Sequence, residues 1–512
     1  MILKKFAFIS LNLLFGIIIA LISYVLIQYS NGSITQLNRM PISNWIIFVI
    51  LIIVIYLLYN FTRKIKLNIN EKQTTLILLI AAFILFLIQI FIAYQIYFYT
   101  GWDASAVRNA AFYFIEHPDK IAKYFNYYFS YHVNQTSITI LLGYIMKFFH
   151  QLGIANYYFG TVVFSVLSVN LSGLFLALNL NKLIKNKIVV FIGFGLFTIL
   201  CSISPWITIP YSDTLMMLFP SIALFVYLHL KGNYWDILYW TVIFTSVFIG
   251  SLIKPQSLIM GIAIVLFEFV IKRKVTIKQE FIRFVIITFV GIITFISTNA
   301  IQKTLVELGQ FKQNPELAFT IPHYLMVGLN LESYGTYTSE DAEISYGQFT
   351  IVDRETKNWE VIQSRVNYLN ENGWINFLVN KAVINFNDGS FAWGMEGDFY
   401  QKLFDRDSSI AETLRNYYYH DGSYFDYFLL LKQFVWISII ILMCMQILIK
   451  DKEDEVYLLY IICIGIILFN MIFEARARYL FAFIPYFIMV ASFTLDKLSS
   501  INLTFELDKN NC

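Results

Sequence analysis

Charged residues are scarce in this sequence. Only 14% of its 512 residues are Asp, Glu, Lys or Arg, whereas 58% are hydrophobic, and soluble domains have about 25% charged residues. A chain of this composition lacks the polar surface that would keep it in water. Several apolar segments reach the roughly 20 residues that a helix needs to cross a bilayer. The composition therefore predicts an all-α polytopic membrane protein.

Cysteines are few, and the common nucleotide and zinc motifs are missing. Of the four cysteines, three lie in or beside apolar segments and Cys512 is the last residue, which argues against a disulfide framework. The absence of a P-loop, a dinucleotide fingerprint and zinc-ligand spacing argues against an ATP- or NAD-dependent enzyme. The net charge of +3 comes from short basic clusters between apolar segments. It does not indicate a nucleic-acid partner.

About twelve transmembrane helices are predicted from the apolar segments. They cover residues 6–29, 43–61, 74–99, 154–180, 187–204, 213–230, 235–253, 256–271, 281–302, 427–449, 456–473 and 479–496. A further segment, residues 137–150, is short and carries Lys147 and His150. We interpret it as a juxtamembrane helix, with a short tilted span as the alternative.

Basic residues set the predicted orientation. With the N-terminus in the cytoplasm and residues 137–150 not crossing, most basic residues of the short loops fall on the inner side, as the positive-inside rule requires. These are Arg63, Lys64, Lys66, Lys72, Lys182, Lys185, Lys187, Lys272, Arg273, Lys274, Lys278, Arg283, Lys450 and Lys452. The short outer loops keep only Arg39, Lys254, Arg476 and Arg478. Both termini are thus predicted to be cytoplasmic.

Three units follow from this topology. Residues 1–302 form a transmembrane core with a first extracytoplasmic loop at 100–153. Residues 303–426 form a mainly α extracytoplasmic segment, and residues 427–512 form C-terminal transmembrane helices with a cytoplasmic tail. Abundant Phe, Ile, Tyr, Asn and Lys are typical of an AT-rich bacterial genome, so the predicted location is a bacterial plasma membrane.

Two carboxylates fall at the outer ends of spans. Asp103 follows the third span in "GWDASAV", and Asp213 precedes the sixth in "SPWITIPYSDTL". An ionised carboxylate near lipid is costly, so both are candidate functional residues. The alternative is that each merely caps a helix, for which "YSDT" is a good signature.

Three cations lie at the same predicted level. Arg476 and Arg478 begin the last span in "FEARARYLFAFIPYF", and Lys254 ends a span beside Pro255 in "GSLIKPQSL". A pair of guanidinium groups suits a phosphate at headgroup level. The alternative is interfacial arginines that snorkel beside Glu474.

Other outer residues are weaker candidates. His132 and His323 could touch a substrate, although lone histidines are more often structural. The segment "DGSFAWGMEGDF" is interpreted as either a sugar-stacking loop or an aromatic interfacial turn. Residues 359–384 have helical apolar spacing and are predicted to lie against the membrane surface.

These motifs occur in an order that resembles the C-type membrane glycosyltransferase fold (GT-C). The sequence "GWDASAV" is followed by "NKLIKNK", "SISPWITIPYSDTL", "GSLIKPQSL" and "ARARYLFAFIP". The chain is similar to the branch with protein O-mannosyltransferases and the aminoarabinose transferases of lipid A. Within it, the chain looks like a family of large integral membrane proteins of low-GC Gram-positive bacteria. The resemblance covers residues 74–302 and, less fully, 456–496.

The resemblance implies a transferase that moves a sugar from a polyprenyl-phosphate donor to a cell-wall polymer, a glycolipid or an exported protein. By this resemblance, Asp103 would be the base that deprotonates the acceptor hydroxyl. Lys254, Arg476 and Arg478 would bind the leaving phosphate. Asp213 would bind a divalent metal or position the acceptor.

One feature departs from this pattern. The double-acid signature of some GT-C relatives is absent, because Ala104 and Ser105 follow Asp103. Metal dependence therefore stays open, with no other cofactor implied.

Two other functions compete with this one. A flippase for lipid-linked saccharides would need polar residues in the middle of its spans. An O-antigen-type polymerase or ligase would place its essential arginines in the large outer segment, where Arg354, Arg365, Arg406 and Arg415 are available.

Overall fold

A computed structural model describes residues 2–28, 42–230, 236–272, 276–404 and 408–500. Several residues used in the sequence predictions lie outside these ranges, as does the end of the predicted tail; they are Arg39, Arg273, Lys274, Arg406 and Cys512. Within the described ranges the chain is helical, with no strand. A single bridge pairs Tyr99 with Lys402.

The first thirteen helices span most of the predicted transmembrane core. They are α1 (Ile2–Gln28), α2 (Asn44–Lys64), α3 (Glu71–Ile96), α4 (Trp102–Glu116), α5 (Ile121–Tyr131), α6 (Gln135–Gln151), α7 (Tyr157–Leu183), α8 (Lys187–Phe197), α9 (Ser212–Met216), α10 (Leu218–His229), α11 (Ile237–Ile253), α12 (Leu258–Leu266) and α13 (Ile277–Leu308).

Eight further helices complete the described chain. They are α14 (Ile321–Gly328), α15 (Ser339–Tyr346), α16 (Ile351–Asn372), α17 (Trp374–Phe386), α18 (Ser409–Tyr418), α19 (Phe425–Leu448), α20 (Asp454–Ile472) and α21 (Ile484–Ser500). The predicted boundary at residue 302 falls inside α13, so the core and the next segment are joined by a continuous helix.

Nine helices in the described part of the chain are long and apolar enough to cross a membrane. Three shorter apolar helices, Lys187–Ser202, Ile237–Ile253 and Pro255–Ile271, coincide with the other three predicted spans. The helical membrane architecture is therefore confirmed. The count of twelve crossings stays a prediction.

Several apolar helices are interrupted near one end of the bundle. α8 runs into a π-helical turn, Thr198–Ser202, and then a short 3-10 helix, Pro205–Thr208. α11 gives way to the 3-10 turn Pro255–Ser257, and α21 is preceded by the 3-10 segment Ala477–Phe483. Broken helices are tolerated at membrane depth where they are buried in protein or line a cavity. The breaks therefore mark the end of the bundle at which these helices are not continuous.

The predicted juxtamembrane segment is the helix α6. Its buried face carries Ile138, Leu142 and Met146 and packs on α4 and α7. Phe148 and Leu152 at its far end are exposed. An apolar inner face and exposed aromatic end suit the interface, although its position relative to lipid stays a prediction.

Residues 359–384, predicted to lie as a helix against the membrane surface, fall in two helices, α16 and α17, that meet at Gly373. The helix α17 packs against α1 and α20, and Lys381, Asn385 and Phe386 have no exposed surface. Ile375 at its start is 80% exposed. The helical spacing is confirmed, and the position against the membrane surface stays a prediction.

The segment "DGSFAWGMEGDF" is a buried turn. The Asp388 carboxylate accepts hydrogen bonds from the main-chain N–H groups of Ser390 (2.7 Å) and Ala392 (2.8 Å). The Trp393 ring has no exposed surface and packs edge-on against Trp206, with centroids 5.2 Å apart. Trp393 is therefore available neither to stack on a sugar nor to anchor in headgroups.

The spans are less apolar in their interiors than the sequence suggested. In α3, Gln89 donates to Ser202 O (2.9 Å) and accepts from Asn170 of α7 (2.7 Å). In α19, the Lys432 ammonium donates to the carbonyls of Ile199 and Leu200, where the π-helical turn frees them. Each of these groups has a protein partner, so they stabilise helix packing.

Candidate functional site

Three broken helices bring charged side chains together at one end of the bundle. Asp213 is the second residue of α9, Lys254 ends α11 beside Pro255, and Arg478 lies in the 3-10 segment before α21. Their exposed fractions are 3%, 9% and 6%. Charges this deeply buried must be paired to be stable.

Asp213 is the centre of this pairing. One carboxylate oxygen accepts from the Lys254 ammonium, and the other lies 3.2 Å from Arg478 Nη1. The N-cap of α9 is Tyr211, so Asp213 does not act as the helix cap that "YSDT" suggested. Its role is to neutralise two cations from distant parts of the chain.

Glu396 joins the two arginines. Its oxygens lie 2.9 Å from Arg478 Nε and 3.2 Å from Arg476 Nη1. Glu396 belongs to the turn that follows α17 and is only 9% exposed. The loop between α17 and α18 therefore contributes directly to a site formed by membrane helices.

Glu474 completes the ion-pair cluster, which we define as Asp213, Lys254, Glu396, Glu474, Arg476 and Arg478. It accepts from Arg476 Nε (3.0 Å) and from the Tyr479 hydroxyl (3.0 Å). The Tyr479 ring also packs against the Lys254 ammonium, at 3.7 Å from its centroid. Tyr479 thus fixes both a cation and an anion.

The ion-pair cluster holds three cations and three carboxylates. Because the charges balance, the cluster is stable without a ligand. The Nη2 nitrogens of Arg476 and Arg478 nevertheless have no acceptor in the described ranges, and the Arg476 side chain is 23% exposed. Nη2 of each arginine is therefore not committed to a protein acceptor, although Arg478 is only 6% exposed.

A strained turn places Asp103 beside this cluster. Gly101 N–H donates to Asp398 O (2.8 Å), and a Cβ on Gly101 would lie 2.5 Å from that oxygen. The next residue, Trp102, has φ of +44°, which is uncommon for a bulky side chain. The Trp102 ring lies under Arg478, with Cζ 4.4 Å from its centroid. Trp102, the residue before Asp103, thus contacts Arg478 of the cluster directly.

Asp103 is half-buried among aromatic groups. It is the second residue of α4, whose N-cap is Gly101, so it does not cap the helix. No lysine or arginine of the described chain forms an ion pair with it. Burial and then the Asp103 charge raise the pKa of Tyr128 well above its ordinary value. Asp103 is therefore a carboxylate without a counter-cation.

Asp103 and Glu474 share a neighbourhood. After burial, both carboxylates contribute to the raised pKa of Tyr324 and of Tyr337. Burial lowers the pKa of His132, and the same two carboxylates oppose that shift. Since both charges act on the same three side chains, Asp103 and Glu474 lie near one set of aromatic residues, Tyr128, His132, Tyr324 and Tyr337, which we call the aromatic group.

The two candidate histidines differ in their setting. His132 lies against Tyr128 (4.6 Å between centroids) and its Nε2 is 3.4 Å from the Tyr346 hydroxyl. His323 is stacked on Phe319 and hydrogen-bonded through Nδ1 to Ser345 Oγ (2.8 Å). Burial lowers the pKa of His323 to about 3, so it is neutral. His132 belongs to the aromatic group, and the Phe319 ring contacts both His132 and His323.

The residues around Asp213 do not fit a divalent metal. Both of its oxygens already contact cations, and the described chain contains no group of three or more His, Cys, Asp or Glu side chains that could hold a metal ion. A metal here would have to lie among three positive side chains. We derive no step through one.

Comparison with known proteins gives a family. A family model described as "conserved hypothetical integral membrane protein" matches residues 2–499. The chain belongs to this family. Membership agrees with the nine candidate spans and makes the chain an integral membrane protein in contact with a lipid bilayer. No curated protein and no solved structure matches it.

Glu396 is the site residue of this integral membrane protein that sequence reasoning missed. It was seen only as part of a glycine- and aromatic-rich loop. Charge balance favours a third carboxylate beside Asp213 and Glu474, but the sequence does not select Glu396 over Asp103 or Asp398.

Asp213→Asn tests whether the ion-pair cluster holds the bundle end together. The substitution leaves Lys254 and Arg478 buried with one anion fewer, so the free energy of unfolding should fall by about 3–5 kcal/mol. Denaturation by SDS in mixed micelles measures it. Glu360→Gln is the control, because its pair with Lys357 is exposed and should contribute less than about 1 kcal/mol. An Asp213→Asn protein as stable as wild type would contradict the role of the cluster.

Proposed function

We propose that this protein is a membrane glycosyltransferase that moves a sugar from a polyprenyl-phosphate donor to an acceptor hydroxyl. The acceptor class is a cell-wall polymer, a glycolipid or an exported protein. The observation that carries the proposal is the position of Asp103, which forms no ion pair within the described residues and whose neighbour Trp102 packs on Arg478. A candidate base thus lies one residue from a contact with a candidate phosphate ligand.

Glycosyl transfer needs those two elements together. The acceptor oxygen attacks the anomeric carbon while Asp103 takes its proton. The bond from that carbon to the phosphate oxygen breaks, and the electron pair leaves with polyprenyl phosphate. A positioned base typically contributes 10²–10⁴-fold to such a step, and donors aimed at the leaving oxygen stabilise the charge that develops there.

The arginine donors suit the leaving phosphate. Arg476 Nη2 and Arg478 Nη2 are the cluster's donors without a protein acceptor in the described ranges. Arginine binds phosphate through a planar fork, which a lysine cannot supply. Lys254 contacts Asp213 and the Tyr479 ring. In this proposal it stabilises the phosphate site through Asp213 and does not contact the phosphate.

The aromatic group suits a sugar. The charges of Asp103 and Glu474 act on Tyr324 and His132, and that of Asp103 acts on Tyr128. Aromatic faces with a few convergent polar groups are typical of small-molecule sites. In this proposal His132 contacts substrate, and His323 holds the Phe319 ring that packs beside His132.

The structure disfavours the polymerase or ligase alternative. Its predicted loop arginines are engaged in holding the outer segment together. Arg354 has no exposed surface and donates to the carbonyls of Ser345 (2.9 Å) and Glu316 (2.7 Å). Arg365 pairs with Asp341 (2.5 Å), and Arg415 donates to Phe404 O. Arg406 lies outside the described residues.

The flippase alternative is also less well supported. Gln89, Asn170 and Lys432 are buried polar groups within spans, as a transporter might require. Each is bonded to a neighbouring helix or carbonyl, however, whereas the charged groups converge at one end. The arrangement favours chemistry at a membrane surface over passage across it.

We place this end of the bundle on the extracytoplasmic side of a bacterial plasma membrane, with both termini in the cytoplasm. The support is the excess of Lys and Arg in the loops at the opposite end. A polyprenyl-linked donor would then reach the site at headgroup level.

Asp103→Asn should abolish transfer. Removing the base is expected to lower the rate by about 10²–10⁴-fold, measured with membrane vesicles and a radiolabelled polyprenyl-phosphate hexose. Asp119→Asn, in the same loop but exposed, is the matched control and should keep wild-type activity. Transfer by Asp103→Asn at the wild-type rate, with equal protein levels, would remove Asp103 from the base role.

Cysteine labelling tests the orientation. Ser339→Cys and Lys185→Cys, both at exposed positions, are each introduced in a Cys512→Ser background. A membrane-impermeant maleimide applied to intact cells should label residue 339 and leave residue 185 unlabelled until the cells are opened. Labelling of both from the same side would overturn the proposed topology.

A further inference from the structure

A lysine outside the ion-pair cluster is buried without a carboxylate partner. Lys381 of α17 has no exposed surface, and in the described chain no acidic side chain forms an ion pair with it. Its ammonium donates instead to the carbonyl of Gly328, at the end of α14, and to that of Phe473 (2.7 Å), just after α20. Lysine side chains can satisfy the orphan carbonyls at helix C-termini in this way.

Asn385 lies one turn further along the same face of α17. Its Nδ2 donates to Asn470 O (3.1 Å), and its Oδ1 accepts from Arg476 N–H (3.0 Å). Ala475 N–H donates to Gly335 O (2.7 Å). The main chain of residues 470–476 is therefore held at four points, three of them by side chains of α17.

Two glycines make this close approach possible. A Cβ on Gly328 would lie 2.4 Å from Ile472 O, which is too close for any other residue. Gly335 has φ of +88°, and a Cβ there would lie 2.8 Å from Lys381 Nζ. The chain around residues 328–335 thus packs directly on the segment that carries the arginines.

We propose that Lys381 and Asn385 are positioning residues that hold the main chain of residues 470–476, and thereby fix Arg476 and Arg478 within the ion-pair cluster. Neither side chain contacts a guanidinium group of the cluster. Lys381 acts on the main chain of Phe473, and Asn385 on the main chain of Asn470 and of Arg476 itself. The inference stands on this geometry and does not require the proposed transfer reaction.

The ammonium of Lys381 lies among groups that act on it in opposite directions. Burial lowers the pKa of Lys381 to about 7, and the nearby Glu474 carboxylate opposes the shift. The Phe377 ring lies 5.8 Å from the ammonium.

Hydrogen exchange on the purified full-length protein tests the inference. Lys381→Met removes the hydrogen bonds to the carbonyls of Gly328 and Phe473, and Asn385→Leu removes those to Asn470 O and from Arg476 N–H. Exchange in peptides covering residues 473–478 should therefore rise about tenfold or more in each variant. Exchange in α7 should not change. Lys357→Met, at an exposed position, is the control and should leave every peptide as in wild type.

Chemical modification gives a second readout. Phenylglyoxal should modify Arg476 faster in Lys381→Met than in wild type, as followed by mass spectrometry. Lys381→Arg keeps a cationic donor and should restore slower modification and slower exchange. These readouts remain informative even if the wild-type protein shows no glycosyl transfer, so failure of the proposed function and failure of this inference are separable.

Three results would overturn the inference. Unchanged exchange at residues 473–478 in both Lys381→Met and Asn385→Leu would show that α17 does not hold this segment. A uniform rise in all helices with a lower melting temperature would show a merely structural role. Equal behaviour of Lys381→Met and Lys381→Arg would show that the cationic donor is not what matters.

Discussion

Buried charge is the constraint on which the rest of this structure depends. Three cations and three carboxylates from four distant parts of the chain meet at one end of an apolar helix bundle. None of them could be buried alone, because an unpaired ion in such surroundings costs several kcal/mol. Their mutual pairing joins the start of α9, the end of α11 and the segment before α21.

The cluster also determines which groups remain for chemistry. Its internal charge is balanced, so the cations are held in place by protein carboxylates, and Nη2 of each arginine contacts no acceptor in the described ranges. Asp103, near this balanced set, forms no ion pair within the described part of the chain. A site with fixed cations and one separate carboxylate suits a reaction in which a proton is removed at one point and negative charge appears at another.

Part of this arrangement could be predicted from the sequence. Pro255 after Lys254 indicates a broken helix, and counting hairpins places Asp103, Asp213, Arg476 and Arg478 at one membrane level. The pairing could not be predicted, because it depends on how the hairpins rotate against one another. Asp213 was therefore assigned to a metal or an acceptor, whereas it neutralises two of the cations.

The sequence was least informative between α13 and α19. The period of α17 is that of a helix with one apolar face, which suits both an interfacial helix and one buried against α1 and α20. Lys381 favours the first interpretation, since lysine is seldom fully buried. Only the main-chain carbonyls of distant segments account for its burial, and such partners leave no side-chain pattern to recognise. Glu396 was missed for a similar reason, because it lies about eighty residues before the two arginines that it joins.

The most direct test of the central claim is an electron cryomicroscopy structure of the protein with a polyprenyl phosphate bound. We expect density for the phosphate at the outer nitrogens of Arg476 and Arg478, with the Asp103 carboxylate facing the same cavity. Phosphate density elsewhere on the protein, or an Asp103 side chain turned toward lipid, would contradict the account.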